Sequence, residues 1–372
     1  MKIALIVPGG VDRSGRRKVI PALLSLIRRL AAIHEVHVYA LYQEPRPGRW
    51  NLEGATVHNA GRSLTILRSL GGIAAQNRVG KFDVIQAVWA SSCGAIAVAA
   101  GKLLRIPSVV HIAGGELVAI EDIDYGGFRT LRGRLVHRAT VAAATELTAA
   151  SQPILDQIAT LGRTAKRIPL GVDLRDWPAK APRVRSSNEM ARLVHVASLN
   201  RVKDQGTLLR AMRKLADRGI EFRLDIVGED VTDGAVEALS HQLDLADFVT
   251  FHGYLEHREL RPIVESADIA VISSRHEAGP LFVLEAAIAG VPTVGTNVGH
   301  VHEWAESAAL AVDCQDAESL ASQIALLLSD EPMRQRLAYE AQARAVTEDA
   351  NTTARLFGEL YSRLSEDKST RV

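Results

Sequence analysis

Hydrophobic positions along the chain fall into two kinds of run, and the two alternate. "KIALIVP" (2–8) is a continuous apolar run of strand length. A loop with Gly9, Gly10 and Gly15 follows, and then "VIPALLSLIRRLAAI" (19–33) repeats its apolar positions at helical spacing. "HEVHVYAL" (34–41) and "FDVIQAV" (82–88) read as strands, "GAIAVAAGKLLR" (94–105) as a helix, and "IPSVVHIAGG" (106–115) as a strand running into a loop. Strand, turn and helix in repetition predict a parallel sheet with helices on both faces. The alternation breaks at 178–189, "PAKAPRVRSSNE", which has no periodicity and reads as a linker. It then restarts. "RLVHVASL", "FRLDIVG", "FVTFHGY" and "DIAVISS" are strands, separated by helices at 205–219, 233–245 and 257–267. "PTVGT" and "ALAVD" are shorter strands before two helices at 316–330 and 331–346.

The pattern predicts two Rossmann-like, doubly wound parallel-sheet domains facing across a cleft. Their expected bounds are 1–178, a linker at 179–189, and 190–348. A C-terminal helix at 349–372 is expected to pack back on the first domain. A cleft between two such domains is the expected ligand site.

Composition narrows the class. At 372 residues, 47% hydrophobic and 23% charged, the chain is ordinary globular protein. Its two cysteines, Cys93 and Cys314, form no CxxC or Cys/His cluster, which predicts neither a disulfide scaffold nor a zinc site and fits a reducing, cytoplasmic setting. The opening apolar run is short for a secretory leader and contains Pro8; no uncharged apolar window reaches the ~18 residues of a membrane span. Charge is uneven: residues 1–180 hold 24 Lys/Arg against 13 Asp/Glu, giving +11, and the remainder is −10. A solvated basic face accounts for this, and so does docking on the inner face of an anionic membrane through Arg62, Arg68 and Arg78 or Arg129, Arg132, Arg134 and Arg138. No nucleic-acid partner is expected.

Candidate chemistry concentrates at strand ends. Gly10 and Gly15 have phosphate-loop spacing, but Arg16 and Arg17 stand where Lys-Ser/Thr would follow, and no G-x-G-x-x-G follows the first strand. Backbone N–H groups of "PGGVDRSG" could still hold an anion at a helix start, or the glycines could be a structural turn. Asp122-x-Asp124 reads as an acidic loop sooner than a metal site. In "RHEAGPLFVLEAAIAGVPTVGTNVG" (275–299), Glu277 sits in the loop after a buried strand and Glu285 about one turn inside the next helix. That helix start suits a phosphate, and each carboxylate suits vicinal sugar hydroxyls. In "ASLNRVKDQG", Arg201 and Lys203 could reach a diphosphate at the same crevice. Taken singly, each of these residues is as well explained by an exposed surface charge.

Together the pieces resemble retaining glycosyltransferases of family 4, with the GT-B fold, over nearly the whole chain. Glu277-x7-Glu285 resembles the family's E-x7-E signature. "IPLGVD", "IVGED", "FHGYLEHREL", "VASLNRVKD" and "GGVDRSG" resemble further family segments. The resemblance implies transfer of a sugar from a nucleotide-diphosphate sugar to a hydroxyl of a glycan, lipid or small molecule, with no metal. By position, Lys203 and Arg201 would hold the diphosphate, and backbone across Gly279, Pro280, Leu281 and Phe282 would support phosphates and sugar. Glu277 would take sugar hydroxyls and Glu285 the ribose. Gly228 and Tyr254 would border the base, and Gly15, with Gly9 and Gly10, would approach from the first domain. The family's GRL has Ala197-Ser198-Leu199 here, with Arg201 supplying the charge. Its histidine before Gly is Ala113 here, leaving His111, one step deeper on the same strand face, as a catalytic or a core residue. Glu116 matches the polar residue after the Gly and is placed on the acceptor side. A GT-B nucleotide-sugar epimerase and a non-catalytic sugar-nucleotide-binding protein stay open as alternatives.

Overall fold

The computed structural model describes residues 1–186 and 189–369. It divides into two compact units: Met1–Gly171 together with the chain from Ala350 onward, and Val172–Asp349.

The first unit runs β1 Lys2–Val7, α1 Pro21–Ala31, β2 Glu35–Ala40, β3 Gly48–Leu52, β4 Ala55–Asn59, α2 Thr65–Val79, β5 Val84–Val88, α3 Ser92–Leu104, β6 Ser108–Ile112, α4 Leu131–Ala143, β7 Glu146–Ala149, α5 Gln152–Thr160 and β8 Lys166–Arg167. Its sheet has the order β3-β4-β2-β1-β5-β6-β7-β8 and is parallel except for the edge pair β3/β4. In the second unit come β9 Ala191–Val196, α6 Gln205–Asp217, β10 Phe222–Val227, α7 Ala235–Gln242, β11 Val249–Gly253, α8 His257–Ser266, β12 Ile269–Ile272, α9 Leu281–Ile288, β13 Thr293–Thr296, α10 Gly299–Trp304, β14 Ala309–Val312, α11 Ala317–Ser329 and α12 Glu331–Thr347. Its sheet is wholly parallel, in the order β11-β10-β9-β12-β13-β14. A last helix, α13 Ala350–Ser369, belongs to the first unit.

The strands are near-continuous apolar runs because helices cover both faces of each sheet. Alternate residues of β1 show this directly. Ile3, Leu5 and Val7 join the cluster of α1 and α13, while Ala4 and Ile6 join that of α3. In the second unit Leu193 packs with α6 and α11, and its neighbour Val194 with α9. Phe357, Leu360, Tyr361 and Leu364 carry α13 into the first core.

The stretch read as a linker at 179–189 is fastened to the second unit instead. Lys180 N donates to Ile288 O at 3.0 Å, and the Lys180 ammonium reaches Glu265 at 2.6 Å. Arg183 pairs with the buried Asp268, and Arg185 N donates to Glu331 Oε1 at 3.0 Å. Its lack of periodicity reflects an extended path held by ion pairs, a pattern with no hydrophobic period to read. Residues 187 and 188 of that stretch lie outside the described residues. The division between units falls earlier, after Gly171.

Candidate active site

In the second unit the strand order turns at β9 and β12, so the loops that leave their carboxyl ends, 197–204 and 273–280, are neighbours. Ligands of open α/β sheets bind outside such a point. The loops are stitched together: Ser273 Oγ donates to Lys203 O at 2.8 Å, and Arg275 N donates to Val202 O at 2.7 Å. Lys203 N donates to Asn200 Oδ1 at 3.1 Å, and Asp204, at φ +46°, caps α6 by accepting from Thr207 N at 3.2 Å. With its backbone fixed this way, Lys203 Nζ donates to Glu277 Oε1 at 2.5 Å. Ser274 Oγ donates to the same oxygen at 2.7 Å, and Thr296 Oγ1 ties down Ser274 O at 2.6 Å. The pair is largely but not wholly sheltered, Lys203 at 24% and Glu277 at 12% side-chain exposure, so it is screened less than a surface pair yet open to a ligand.

The helix that follows, α9, starts after Pro280, and no side chain caps its first turn. Its N-terminal amides therefore offer hydrogen bonds and a positive dipole end beside Lys203 and Glu277. Gly299, at φ +50°, lets the loop close: a Cβ there would lie 2.8 Å from Pro280 Cδ and 3.1 Å from Glu277 Cβ. Arg201 is exposed on the other loop, with no hydrogen bond or ion pair among the described residues.

Glu285 lies one turn into α9, 7% exposed. Its Oε1 accepts from His257 Nε2 at 2.8 Å, and the His257 ring lies 4.6 Å from that of the fully buried Trp177. Trp177 Nε1 donates to Glu285 O at 2.8 Å. One carboxylate oxygen is thus held by a histidine on α8. At the ends of β10 and β11, Gly228 N donates to Gly253 O at 2.9 Å, and Tyr254 is 53% exposed.

In the first unit the glycine loop does not present an anion cradle. The helix begins only at Pro21, which has no N–H, and the loop closes on itself as a hairpin with Val11 paired to Val19. Ser14 N donates to Asp12 Oδ1 at 2.9 Å, and Arg16 N and Arg17 N both donate to Ser14 Oγ at 3.2 Å. Gly10 and Gly15 supply the left-handed turns, at φ +80° and +64°. His111 is a core residue: it is fully buried, its Nδ1 bonds Thr148 Oγ1 at 2.9 Å, and Phe357 of α13 packs edge-on at 5.6 Å. Burial pushes its imidazole down to about 3, so it stays neutral and away from solvent. Ala113 is partly buried at the end of the same strand face. Glu116 is buried, with Oε1 accepting from Ala90 N at 2.9 Å. Asp124 pairs with Arg129 at 2.9 Å on the surface.

The fold therefore joins Lys203 to Glu277 and sets Glu285 behind them on α9, while His111 goes to a core. Sequence reading passed over Ser274, Gly299, Trp177 and His257. Ser274 directly precedes the quoted motif, and Gly299 is its last residue. His257 lies within "FHGYLEHREL", but its partner is 28 residues away and only folding joins them.

The sequence matches the family described as Glycosyl transferases group 1 over residues 179–344 and the one described as Glycosyl transferase 4-like domain over residues 19–171. Glycogen synthase of Mycobacterium tuberculosis is 31% identical over 196 residues, 51% of this chain and 46% of that protein. D-inositol 3-phosphate glycosyltransferase of Corynebacterium urealyticum is 30% identical over 178 residues, 45% of this chain and 42% of that protein. The matches thus span less than half the length of either relative. Sucrose-phosphate synthase from Thermosynechococcus elongatus superposes with a TM-score of 0.80 at 20% identity, covering 98% of this chain and 99% of its own. The Anabaena protein HepE in complex with UDP and glucose gives 0.76 at 19% identity, covering 98% and 100%. At such identity these likenesses speak for the fold, which is GT-B, with two parallel-sheet α/β units. With family matches over both halves of its length, the chain belongs to the group 1 glycosyl transferases.

Proposed function

We propose that the chain moves a sugar, with retention of configuration, from a nucleotide-diphosphate sugar to an acceptor hydroxyl, and that the second unit binds the donor. The observation that carries this reading is the Lys203–Glu277 pair beside the uncapped start of α9. A cation, a carboxylate and the positive end of a helix dipole meet there, which is what a sugar diphosphate needs. Lys203, Arg201 and the helix dipole stabilise the charge that develops on the leaving diphosphate. Backbone from Gly279 to Phe282 supports the phosphates. Glu277 is oriented through Oε1 by Lys203 and Ser274, and its second oxygen takes sugar hydroxyls. Glu285, steadied by His257, takes the ribose hydroxyls, with Gly228 and Tyr254 at the base. In a front-face substitution the departing phosphate oxygen accepts the acceptor proton, so the chain need supply no separate base. That HepE was solved with UDP and glucose supports a uridine donor as the first to try.

Thermal shift with UDP, GDP, ADP and dTDP, then with their sugars, tests it. Stabilisation by one nucleotide and its sugar is expected, and no shift with any of them sinks the reading. An NMR assignment of the product's anomeric centre then tests retention; an inverted product overturns it. Turnover of the sugar nucleotide with no acceptor present would favour the epimerase.

Membrane contact through the first unit is the second part of this proposal. Leu64, Ile66 and Leu67 are exposed beside Arg62 and Arg68 at the start of α2, and Leu131 and Leu135 beside Arg132 and Arg134 on α4. Exposed leucines among arginines suit an anionic lipid surface. No helix among the described residues is long and apolar enough to cross a membrane. Co-sedimentation with vesicles rising with phosphatidylserine content is expected; binding indifferent to anionic lipid rejects it.

A further inference from the structure

Strands β9 and β12 stop pairing before they end. Their register joins Leu193 with Ile269 and Val194 with Ala270, although β9 runs on to Val196 and β12 to Ile272. Beyond the last pair, a side chain takes over. His195 is fully buried, and its Nδ1 lies 2.9 Å from Val271 O. A carbonyl oxygen only accepts, so Nδ1 carries the proton and Nε2 is left as an acceptor. Gln205, 1% exposed, donates from its Nε2 to that ring nitrogen at 3.2 Å, and from the same Nε2 to Ser198 O at 3.2 Å. Val271 O, His195, Gln205 and Ser198 O thus make one chain of hydrogen bonds. The two carbonyls at its ends fix the direction of every donor.

This chain grips the loop 197–204. Gln205 opens α6 directly after Asp204, and its side chain reaches back to Ser198. Leu199 N, in the same peptide group as Ser198 O, donates to Glu229 O at 2.8 Å. The Ser198–Leu199 peptide is therefore held at both its polar ends, four residues before Lys203. The imidazole also lies close behind the site. Burial pushes it down to about 4; the bond to Val271 O raises it, Lys203 lowers it and Glu277 raises it, each by less.

Gln205 is an expensive residue to bury here. Its Oε1 has no hydrogen-bond partner among the described residues, a loss that an unbranched apolar side chain of the same length would avoid. What the amide supplies in return is two donors on one nitrogen, one for an imidazole and one for a carbonyl. A residue that served packing alone would need neither.

We propose that His195 and Gln205 are positioning residues for the donor diphosphate: they brace the Ser198–Leu199 peptide and so fix the loop that presents Lys203. The proposal rests on the transferase reading and adds two residues that act behind the donor contacts.

Calorimetric titration of the full chain with UDP, ADP, GDP and dTDP tests it, in wild type, Gln205→Met, Lys203→Ala and the double variant. Gln205→Met keeps the length of the side chain and loses both donors. It is expected to weaken the nucleotide that wild type binds by about fivefold, the equivalent of one neutral hydrogen bond. In a chain already carrying Lys203→Ala the loss is expected to shrink to less than about twofold, because the brace acts through Lys203. An equal loss in both backgrounds, or wild-type affinity in folded Gln205→Met, overturns the brace. His195→Phe carries the same titrations if circular dichroism shows Gln205→Met misfolded. Imidazole nitrogen NMR on the wild type needs no variant: at pH 7 His195 is expected neutral with its proton on Nδ1, and a proton on Nε2 overturns the chain of bonds. Binding by wild type with Gln205→Met unimpaired rejects the brace alone; binding of none of the four nucleotides by wild type rejects the donor reading and the brace with it.

Discussion

Lys203 and Glu277 stand 2.5 Å apart, and in the proposed reaction each orients the other for a sugar diphosphate. Removing Lys203 leaves Glu277 held by Ser274 and, on the proposed mechanism, takes a cation from the developing diphosphate charge. Lys203→Ala is expected to lower kcat by about 10²–10³, read from nucleoside diphosphate release; a wild-type rate would contradict the role. Glu277→Ala is expected to cut transfer more than nucleotide affinity. His257 acts one step back, through Glu285. His257→Leu leaves a buried carboxylate oxygen unpaired, at a cost of about 1.5–3 kcal/mol. Donor KM is expected to rise about tenfold, the equivalent of one such hydrogen bond, with kcat largely kept. A KM at the wild-type value would mean that Glu285 does not need its histidine. The glutamates were legible as candidates through their spacing, and Lys203 through its place in the loop after a strand. The histidine was not, since nothing in its own neighbourhood marks it.

At the scale of elements, the turns at strand ends decide whether the site assembles. Gly228 closes the end of β10 so tightly that a Cβ would stand 1.9 Å from Ala197 O. Backbone cannot yield that far, so Gly228→Ala is expected to cost about 2–4 kcal/mol by overpacking and loop displacement, measured as a lowered urea midpoint; an unchanged midpoint would refute the contact. Helix α13 contributes Phe357, Leu360, Tyr361 and Leu364 to the first core. At about 1.5–3 kcal/mol for each side chain buried, its loss is comparable with the whole ordinary stability of such a unit, about 5–15 kcal/mol. Ending the chain at Asp349 is expected to leave the second unit resistant to protease and the first digested; equal resistance of both would show that α13 is dispensable. The helices and strands themselves were readable from apolar period. The edge pair β3/β4 was not, because "GRWNL" and "ATVHN" carry too few apolar residues to register as strands.

For the whole molecule, buried histidines set a response to acid. Burial pushes His111 down to about 3 and His195 down to about 4. In the unfolded chain both take up a proton near pH 6.5. Between there and their folded values the unfolded state binds more protons, so stability is complete above about pH 6.5 and falls as pH drops through that window. Each is expected to remove about 2 kcal/mol by pH 5. Glu116, raised by burial, works in the opposite sense and offsets part of this. Urea midpoints at pH 7 and pH 5 check it, and equal midpoints would contradict neutral burial. His111 shows where sequence reading stops. From its place on a strand it could serve a site or a core, and only the arrival of Phe357 from 246 positions along the chain decides for the core. The stretch at 179–189 shows the same limit, since ion pairs leave no period to read. What the sequence by itself determined is the two-sheet architecture and the positions of Lys203, Glu277 and Glu285, because apolar period and loop spacing are local properties. Only the tertiary structure decided which residues stand beside them: Ser274 and Gly299 around Glu277, His257 and Trp177 around Glu285. Those partners come from separate elements, and sheet order, which no local pattern encodes, sets which strand ends meet.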